Sequence, residues 1–318
     1  MCLYPKLVKN PKYRMNKKNG GQVPPVTDKR VLYVPIGCGK CMECMKKKAR
    51  EWKVRLLEEI RHQETNAHFV TLTFSNESII ELSKNIDIKG YERDNEIARI
   101  AVRRFLERWR KKHKKSVRHW LVTELGGNGT ENIHLHGIIW TDKPEDIDKI
   151  WGYGFAGLGE YVNEKTINYI TKYVTKTDLK HKEYKPRIFS SPGIGKNYTN
   201  RLDSKNNKYN GKETKEYYRT RQGYKLALPI YYRNKIYNDE EREKLWLHKL
   251  DQQKRYVDGK EISIKNGENI YYKYLEIARQ KNTELGYGND PINWDLKKYE
   301  NERRNMLHRE RTKKKFHN

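Results

Sequence analysis

Two histidines one residue apart, His134 and His136, are the first candidates for chemistry in this chain. Because successive side chains of a strand point to opposite faces, a strand here holds both imidazoles on one face and buries Leu135. A hairpin turn centred on Gly129 would place Glu124 opposite His134, on the same face. Two imidazoles and one carboxylate suit a divalent cation that keeps open positions for a phosphate oxygen and a water molecule. The alternative is a pair of half-exposed histidines on a sheet face.

A second candidate is a helix over residues 163–176, in which two tyrosines recur at helical spacing. At about 100° per residue, this helix has an apolar stripe and an opposite polar face. The apolar stripe comprises Ile167, Ile170 and Val174, and the polar face comprises Tyr169, Lys172, Tyr173 and Lys176. A phenol is a poor nucleophile at neutral pH, but an adjacent cation favours the phenolate and stabilises charge that develops on phosphorus. The polar face therefore suits covalent attack on a phosphodiester, and an amphipathic surface helix is the alternative.

Four cysteines form a third pattern. Cys38, Cys41 and Cys44 stand at three-residue steps, and Cys2 is the only other cysteine in the sequence. Four thiolates make a closed tetrahedral zinc site, which would tie the N-terminus to the first helix, and a cytoplasmic protein seldom keeps them as disulfides. The three-residue steps also resemble part of an iron–sulfur ligand set, although its usual fourth cysteine just downstream is missing. Buried thiols without a metal are a third interpretation.

The charge of the chain points to a polyanionic partner. The 318 residues carry 68 Lys and Arg against 41 Asp and Glu, a formal net charge of +27. Because neutralising phosphates releases condensed counterions, nucleic acid is the predicted partner, and an anionic membrane surface is the weaker candidate. No stretch is apolar enough to span a membrane, and residues 1–15 lack the apolar core of a signal peptide. These features predict a soluble cytoplasmic protein.

Hydrophobic periodicity and turn residues divide the chain into three regions. Residues 1–66 are predicted to form a cysteine-containing segment with one short strand and a helix, residues 67–235 a mixed core, and residues 236–318 a basic, mainly helical extension. The predicted strands cover residues 31–35, 68–74, 119–125, 132–140 and 224–232, and the predicted helices cover residues 41–66, 95–115 and 163–176.

Two glycine patterns have separate interpretations. Gly137, directly after the second histidine, is predicted to let a substrate backbone approach the site. The GIGKN run at residues 193–197 lacks the spacing of a phosphate-binding P-loop, so we expect only a turn there. The sequence contains no other ATPase motif, and unwinding and synthesis would have to come from host proteins.

Three of these segments, taken in order, resemble the motifs of a known family. They are Phe69-Val70-Thr71-Leu72-Thr73-Phe74, then His134-Leu135-His136-Gly137, then Tyr169-x-x-Lys172-Tyr173-x-x-Lys176. The chain resembles rolling-circle replication initiators of the HUH endonuclease superfamily, and its two-tyrosine form is most similar to the replication proteins of microviruses of the gokushovirus branch. The opening Met1-Cys2-Leu3-Tyr4-Pro5, the cysteine cluster and Ser191-Pro192-Gly193-Ile194-Gly195 are similar to that branch as well.

This resemblance implies an α+β fold in which helices flank a central five-stranded antiparallel sheet of the ferredoxin-like, RRM-like type. It also implies Mg²⁺ or Mn²⁺ at the His134, His136 and Glu124 site. Tyr169 and Tyr173 would alternate as nucleophiles: one nicks the origin, leaving a 5′-phosphotyrosine and a 3′-hydroxyl primer, and the other attacks after one round so that a circle is released. The implied partners are single-stranded or duplex origin DNA of a circular phage genome and the host helicase and DNA polymerase, in the host cytoplasm and without a membrane.

Two other functions stay open on the sequence alone. A plasmid relaxase or transposase of the same superfamily would share the nicking chemistry. A non-catalytic, zinc-containing nucleic-acid-binding protein would share the charge and the cysteines. Only the histidine pair and the tyrosine helix distinguish this second alternative from an enzyme.

Overall fold

The computed structural model describes residues 2–62, 66–127, 131–159, 161–176, 181 and 184–288, together with residues 304, 305, 308 and 312. The chain divides into two compact units, of which unit 1 is Met1–Glu51 with Tyr198–Asp290 and unit 2 is Trp52–Asn197 with Pro291–Asn318. Gly129, on which the predicted hairpin turn was centred, lies outside the described residues. None of the described helices is long and apolar enough to cross a membrane.

The regular elements cover most of the described chain. The strands are β1 (Lys6–Lys9), β2 (Tyr33–Ile36), β3 (Ala67–Leu72), β4 (Arg118–Leu125), β5 (Ile133–Trp140), β6 (Ala156–Leu158), β7 (Ile188–Ser190), β8 (Tyr217–Arg219), β9 (Lys225–Ala227), β10 (Lys254–Val257) and β11 (Lys260–Ser263). The helices are α1 (Met42–His62), α2 (Asn76–Ser83), α3 (Tyr91–His113), α4 (Glu145–Trp151), α5 (Glu164–Lys172), α6 (Leu202–Lys205), α7 (Ile230–Ile236), α8 (Asp239–Asp251) and α9 (Asn269–Glu284).

Unit 2 is built on a five-stranded sheet with the strand order β6-β3-β5-β4-β7. Each neighbouring pair is antiparallel, and helices flank the sheet. The predicted α+β class with a five-stranded antiparallel sheet is therefore confirmed. β4 and β5 are buried almost throughout, and they form the centre of the sheet together with β3.

One face of this sheet packs on α3 through a continuous apolar core. Alternate strand residues supply it, because side chains of a strand alternate between the two faces. The core includes Val70, Leu72, Leu121, Leu125, Ile133, Leu135 and Ile139 from the strands and Ile97, Ala101, Phe105 and Trp109 from α3. Burying each large apolar side chain contributes about 1.5–3 kcal/mol, so this face fixes the register of β4 and β5. The intervening residues, including both histidines, consequently occupy the opposite face.

Gly137 is required by strand packing and not by substrate approach, which corrects the sequence-based interpretation. It alternates with His136 and so faces the α3 side of the sheet. A Cβ at this position would lie 2.1 Å from the carbonyl oxygen of Trp120 and 2.8 Å from Cα of Leu121 on the neighbouring β4. Only glycine allows the backbones of β4 and β5 to approach this closely.

We expect Gly137→Ala to destabilise unit 2. Because the atoms in the way belong to a backbone, relief requires the two central strands to move, and overpacking of this kind costs typically about 1–3 kcal/mol. Urea denaturation should show a lower midpoint. Gly127→Ala is the matched control, since no atom lies within 4 Å of a Cβ there. An unchanged midpoint for Gly137→Ala would contradict this account of the glycine.

The predicted turn at residues 193–195 is confirmed, and its role is structural. The backbone N–H of Gly195 donates to the buried Glu59 carboxylate at 2.6 Å. Arg118 forms an ion pair with Glu59 and donates from Nη2 to the carbonyl oxygen of Gly193 at 3.1 Å. Arg55 donates to the carbonyl oxygen of Ile194 at 3.0 Å. These contacts fasten the turn to α1 and β4.

The described part of the C-terminal region contributes an ion cluster to unit 2. Arg304 is fully buried, and its Nε lies 2.5 Å from Asp94 Oδ2 while Nη1 lies 3.3 Å from Glu131 Oε2. His308 Nε2 lies 2.9 Å from Asp94 Oδ1. Burial raises the pKa of Asp94, but Arg304 and His308 outweigh it and hold that pKa below its ordinary value. Charged residues of the extension thus form part of the unit 2 interior.

Two predicted elements of unit 1 differ from the structure. The strand predicted over residues 224–232 ends at Ala227, because Pro229 precedes α7. The extension beyond residue 236 contains the antiparallel hairpin of β10 and β11 between α8 and α9, so it is not purely helical. In addition, β2 pairs with β1 to form a two-stranded sheet where one strand was expected.

Candidate active site

The hairpin of β4 and β5 brings Glu124 and the histidine pair together. Glu124 is directly opposite His134, which confirms the predicted register. Glu124 Oε2 lies 3.2 Å from His134 Nε2 and 3.0 Å from His136 Nε2. All three side chains are largely buried, with 11–18% of each exposed. We call these three residues the His–Glu cluster.

Polar contacts orient both imidazole rings. Thr71 of β3 pairs with His136 in the sheet, and its hydroxyl lies 3.0 Å from His136 Nδ1. His134 Nδ1 lies 3.3 Å from the carbonyl oxygen of Asn132. A contact at Nδ1 fixes the ring and leaves the Nε2 lone pair available to a metal ion. Sequence reasoning assigned no role to Thr71, although its alternation with Val70 and Leu72 places it on the face of the histidines.

The donor atoms of the His–Glu cluster fit a single divalent cation. One donor atom from each residue lies within 4.8 Å of the others. Adjacent ligands at right angles around Mg²⁺, each at about 2.1 Å, lie about 3 Å apart, which matches the spacing of Glu124 Oε2 from the two Nε2 atoms. Three donors on one side leave the opposite positions for oxygen ligands. Imidazole nitrogens suit Mn²⁺ at least as well as Mg²⁺, which strongly prefers oxygen.

Glu124 carries a negative charge in this setting. Burial raises the pKa of its carboxyl, but hydrogen bonds with His134, His136 and Lys176 together hold that pKa well below its ordinary value. Lys176 also forms an ion pair with the second carboxylate oxygen. The carboxylate is therefore ionised at neutral pH, as a metal ligand requires.

The tyrosine segment differs from the predicted helix in its end and its burial. α5 ends at Lys172, and Tyr173 begins a turn in place of the helix expected to continue to residue 176. Tyr173 is 8% exposed because its ring stacks on His136, with centroids 4.3 Å apart and planes at 13°. Tyr169 is 50% exposed. The two phenols were predicted to lie together away from the core; they lie together, but Tyr173 is buried.

The phenols meet each other beside the His–Glu cluster. Tyr173 donates a hydrogen bond from its hydroxyl to the hydroxyl oxygen of Tyr169 at 2.5 Å. Burial first, and then this hydrogen bond and the charge of Glu124, raise the pKa of Tyr173 above its ordinary value. Because the hydroxyl of Tyr173 keeps its proton, it can stabilise negative charge on the oxygen of Tyr169.

The two lysines of the predicted face have different positions. Lys176 Nζ contacts Glu124 and lies 5.6 Å from the centre of the Tyr173 ring. Lys172 is exposed, and in the described part of the chain no hydrogen bond or ion pair joins it to the His–Glu cluster. Of the two, only Lys176 lies at the site.

An exposed ring that sequence reasoning missed lies on the same face of the sheet. Phe155 is 70% exposed. Gly157 of β6 pairs with Thr71, and a Cβ at Gly157 would lie 3.2 Å from Cε1 of Phe155 and 3.7 Å from Cβ of Thr71. The Phe155 ring is thus next to the residue that orients His136. Aromatic rings exposed in this way can stack on unpaired bases.

Comparison with known proteins agrees with this geometry. Residues 67–178 match the family model of replication-associated proteins of the ORF2 type, a segment that contains the His–Glu cluster and both tyrosines and excludes all four cysteines. This segment is similar to viral replication-associated proteins. Over 193 residues the chain is 27% identical to the replication-associated protein ORF2 of Spiroplasma virus 4, an alignment that covers 51% of this chain and 56% of that protein. The chain thus spans about half the length of this curated relative, and no solved structure matches it. The similarities support a viral replication initiator.

Proposed function

We propose that the chain is a rolling-circle replication initiator that nicks circular phage DNA at its origin and later rejoins the displaced strand. The observation that carries this proposal is the pair of phenols, 2.5 Å apart, stacked on a histidine of the His–Glu cluster. Nucleophile and candidate metal ligands are therefore adjacent, as covalent attack on a phosphodiester requires. The formal charge of +27 supplies affinity for the DNA backbone.

In the proposed reaction the phenolic oxygen of Tyr169 attacks the phosphorus of the scissile phosphodiester. A tyrosine–phosphorus bond forms, the bond from phosphorus to the 3′-oxygen breaks, the phenol proton passes to water, and the 3′-oxygen takes up a proton. One phosphodiester replaces another, so the step can be reversed without ATP. Attack by a 3′-hydroxyl on the phosphotyrosine rejoins the strand, which agrees with a chain that has no P-loop.

His134, His136 and Glu124 would hold Mg²⁺ or Mn²⁺ in this mechanism. When bound, the ion supplies Lewis-acid polarisation of a non-bridging phosphate oxygen. The protein itself orients the imidazoles through Thr71 and holds Glu124 ionised. Tyr173 donates its hydrogen bond to the attacking oxygen, which favours the charge that develops there.

The finer assignments follow from the sequence motifs. We infer a gokushovirus-like phage replication protein because the two-tyrosine motif, the opening segment and the cysteines are similar to that branch. Origin DNA would be the substrate, and the host helicase and DNA polymerase would supply unwinding and synthesis. Since the reaction needs only the nicking chemistry, a plasmid relaxase or transposase is the second candidate.

A covalent-adduct assay tests the proposal. Full-length protein is incubated with labelled single-stranded oligonucleotides that tile the genome encoding it, in Mn²⁺ or in EDTA. We expect a labelled protein band that survives SDS with one oligonucleotide only, and only with metal. Binding to all oligonucleotides without an adduct would favour the non-catalytic DNA-binding protein.

We expect Phe155→Ala to weaken binding of single-stranded DNA without changing the chemical step. Base stacking on an aromatic side chain contributes about 1–3 kcal/mol, so affinity should fall by roughly 5- to 150-fold. Fluorescence anisotropy at fixed salt measures the change, and the rate of adduct formation at saturating DNA should be retained. Phe155→Trp is the matched control and should bind at least as well as the native chain. Equal affinity of Phe155→Ala for single strands would exclude stacking at this ring.

A further inference from the structure

The four cysteines, scattered in the sequence between residues 2 and 44, converge at one place in unit 1. Their sulfur atoms all lie within 4.8 Å of one another. Cys2 Sγ lies 3.9 Å from Cys41 Sγ, and Cys38 Sγ lies 4.0 Å from Cys44 Sγ. A disulfide needs sulfurs about 2.05 Å apart, so these distances exclude one. From this arrangement we propose that the four thiolates hold a single zinc ion whose role is structural.

The sulfur spacing fits one tetrahedral ion. With Zn–S bonds of about 2.3 Å, the edge of a tetrahedron of sulfurs is about 3.8 Å long. The distances of 3.9 and 4.0 Å are close to this edge. A cluster with a separate iron for each thiolate would hold its cysteine sulfurs much further apart. The geometry therefore favours zinc over the iron–sulfur alternative that the spacing left open.

The local backbone is arranged around the sulfurs. Gly39 adopts a φ of +77°, which tightens the turn from Cys38 to Cys41 and strongly favours glycine. A Cβ on Gly37 would lie 3.0 Å from Cys44 Sγ, so a larger residue would crowd that ligand. Three backbone N–H groups donate to cysteine sulfurs, those of Tyr4 and Cys38 to Cys2 and that of Cys41 to Cys38, at 3.2–3.3 Å. Such donors stabilise thiolates, as they do the ligands of metal sites.

The cysteines are also packed into the core of unit 1. This core contains Leu3 and Met42, next to two of the cysteines, together with Val257, Ile262, Tyr271 and Leu275 from the hairpin of β10 and β11 and from α9. Arg279 of α9 donates to the carbonyl oxygen of Leu3 at 3.0 Å, and Asn282 accepts from the N–H of Met42 at 2.8 Å. The ion would therefore join the N-terminal segment to the first turn of α1, at the point where both meet the C-terminal half of the unit.

A structural role follows from the ligand set. Four protein thiolates fill a tetrahedral ion completely and leave no position for water or substrate, which distinguishes this site from the His–Glu cluster. Because structural zinc contributes its binding free energy to folding, removing it should loosen the segment that it joins. Nicking chemistry is not involved in this inference.

Elemental analysis of the full-length protein, purified without chelator, tests the proposal. We expect about one zinc per chain. Cys41→Ser should lose the ion, whereas Met45→Leu, which changes a neighbouring buried side chain without removing a ligand, should keep it. His134→Ala/His136→Ala should also keep it, so that the two candidate metal sites are distinguished. Iron with visible absorbance, or full zinc in Cys41→Ser, would overturn the assignment.

A measurement on the native chain avoids dependence on the folding of Cys41→Ser. Exchange with Co²⁺ should give the sulfur-to-metal charge-transfer absorption of tetrahedral thiolate coordination. Chelation should expose sites between residues 2 and 44 to trypsin, and added Zn²⁺ should restore protection. Protein that contains no zinc, fails to bind Co²⁺ and has the same protease resistance before and after chelation would refute the proposal.

Discussion

Replacing His134 and His136 together with alanine is expected to reduce adduct formation on origin DNA by about 1,000-fold or more. A bound ion stabilises charge in the transition state by several kcal/mol, and each 1.36 kcal/mol corresponds to tenfold in rate. Glu124 alone cannot hold the ion, because a single carboxylate lacks the two nitrogen donors that lie 3.0 and 3.2 Å from it. The measurement is the single-turnover rate at saturating DNA and Mn²⁺.

DNA binding should survive this double substitution. The basic residues that contact phosphates are spread over a chain with 68 Lys and Arg, so affinity and its salt dependence should be nearly unchanged. His68→Ala is the matched control, since His68 is an imidazole on β3 of the same sheet whose Nε2 contacts the carbonyl oxygen of Thr141 and not the cluster. Full nicking in EDTA, or by the double mutant, would falsify the metal assignment.

The His–Glu cluster could be predicted from the sequence because strand geometry almost alone determines it. Alternation puts His134 and His136 on one face, and antiparallel pairing across a short hairpin brings Glu124 opposite. Both relations are local and involve one assumption about the turn. The contact of Thr71 with His136 also follows from alternation, but it needs the pairing of β3 with β5, which separates these residues far along the chain.

The surroundings of the tyrosines could not be predicted from periodicity. Helical spacing places Tyr169 and Tyr173 on one face, yet it does not indicate that α5 ends at Lys172 or that Tyr173 stacks on a histidine of β5. Such stacking depends on how a helix docks on a distant strand. The neighbourhood of Phe155 is a long-range contact of the same kind, since it requires β6 to pair with β3.

The charged C-terminal region shows why composition is a weak predictor of structure. Its many Lys, Arg and Glu residues favour helix, but Asp258-Gly259, both with positive φ, forms the turn of the hairpin of β10 and β11. Asp-Gly between alternating residues is a hairpin indicator that was available in the sequence. The burial of Arg304 against Asp94 was not, because the two residues come from opposite ends of the chain.

The two tyrosines are expected to respond unequally to loss of their hydroxyls. Tyr169 is exposed and accepts the hydrogen bond of Tyr173, so it is the phenol that a phosphodiester reaches first. Tyr169→Phe should therefore slow the first adduct strongly, whereas Tyr173→Phe should slow it less, by the loss of one transition-state hydrogen bond, about 10- to 1,000-fold. The double mutant should form no adduct. Tyr161→Phe, which removes a hydroxyl from another exposed tyrosine, is the matched control.

Alternation of the two phenols makes a stricter demand than nicking. When Tyr169 is held in the phosphotyrosine bond, it cannot attack the regenerated origin, and the hydroxyl of Tyr173 is the nucleophile one turn away. Both single mutants should consequently fail to release a circle from a substrate that carries two origins, even where they still form the first adduct. Circle release at the native rate by either single mutant would rule out alternation while leaving the nickase intact. An adduct formed by the double mutant would move the nucleophile elsewhere, and peptide mapping would then test Tyr161 before the buried Tyr153, since only an exposed hydroxyl can reach a phosphate without a change in packing.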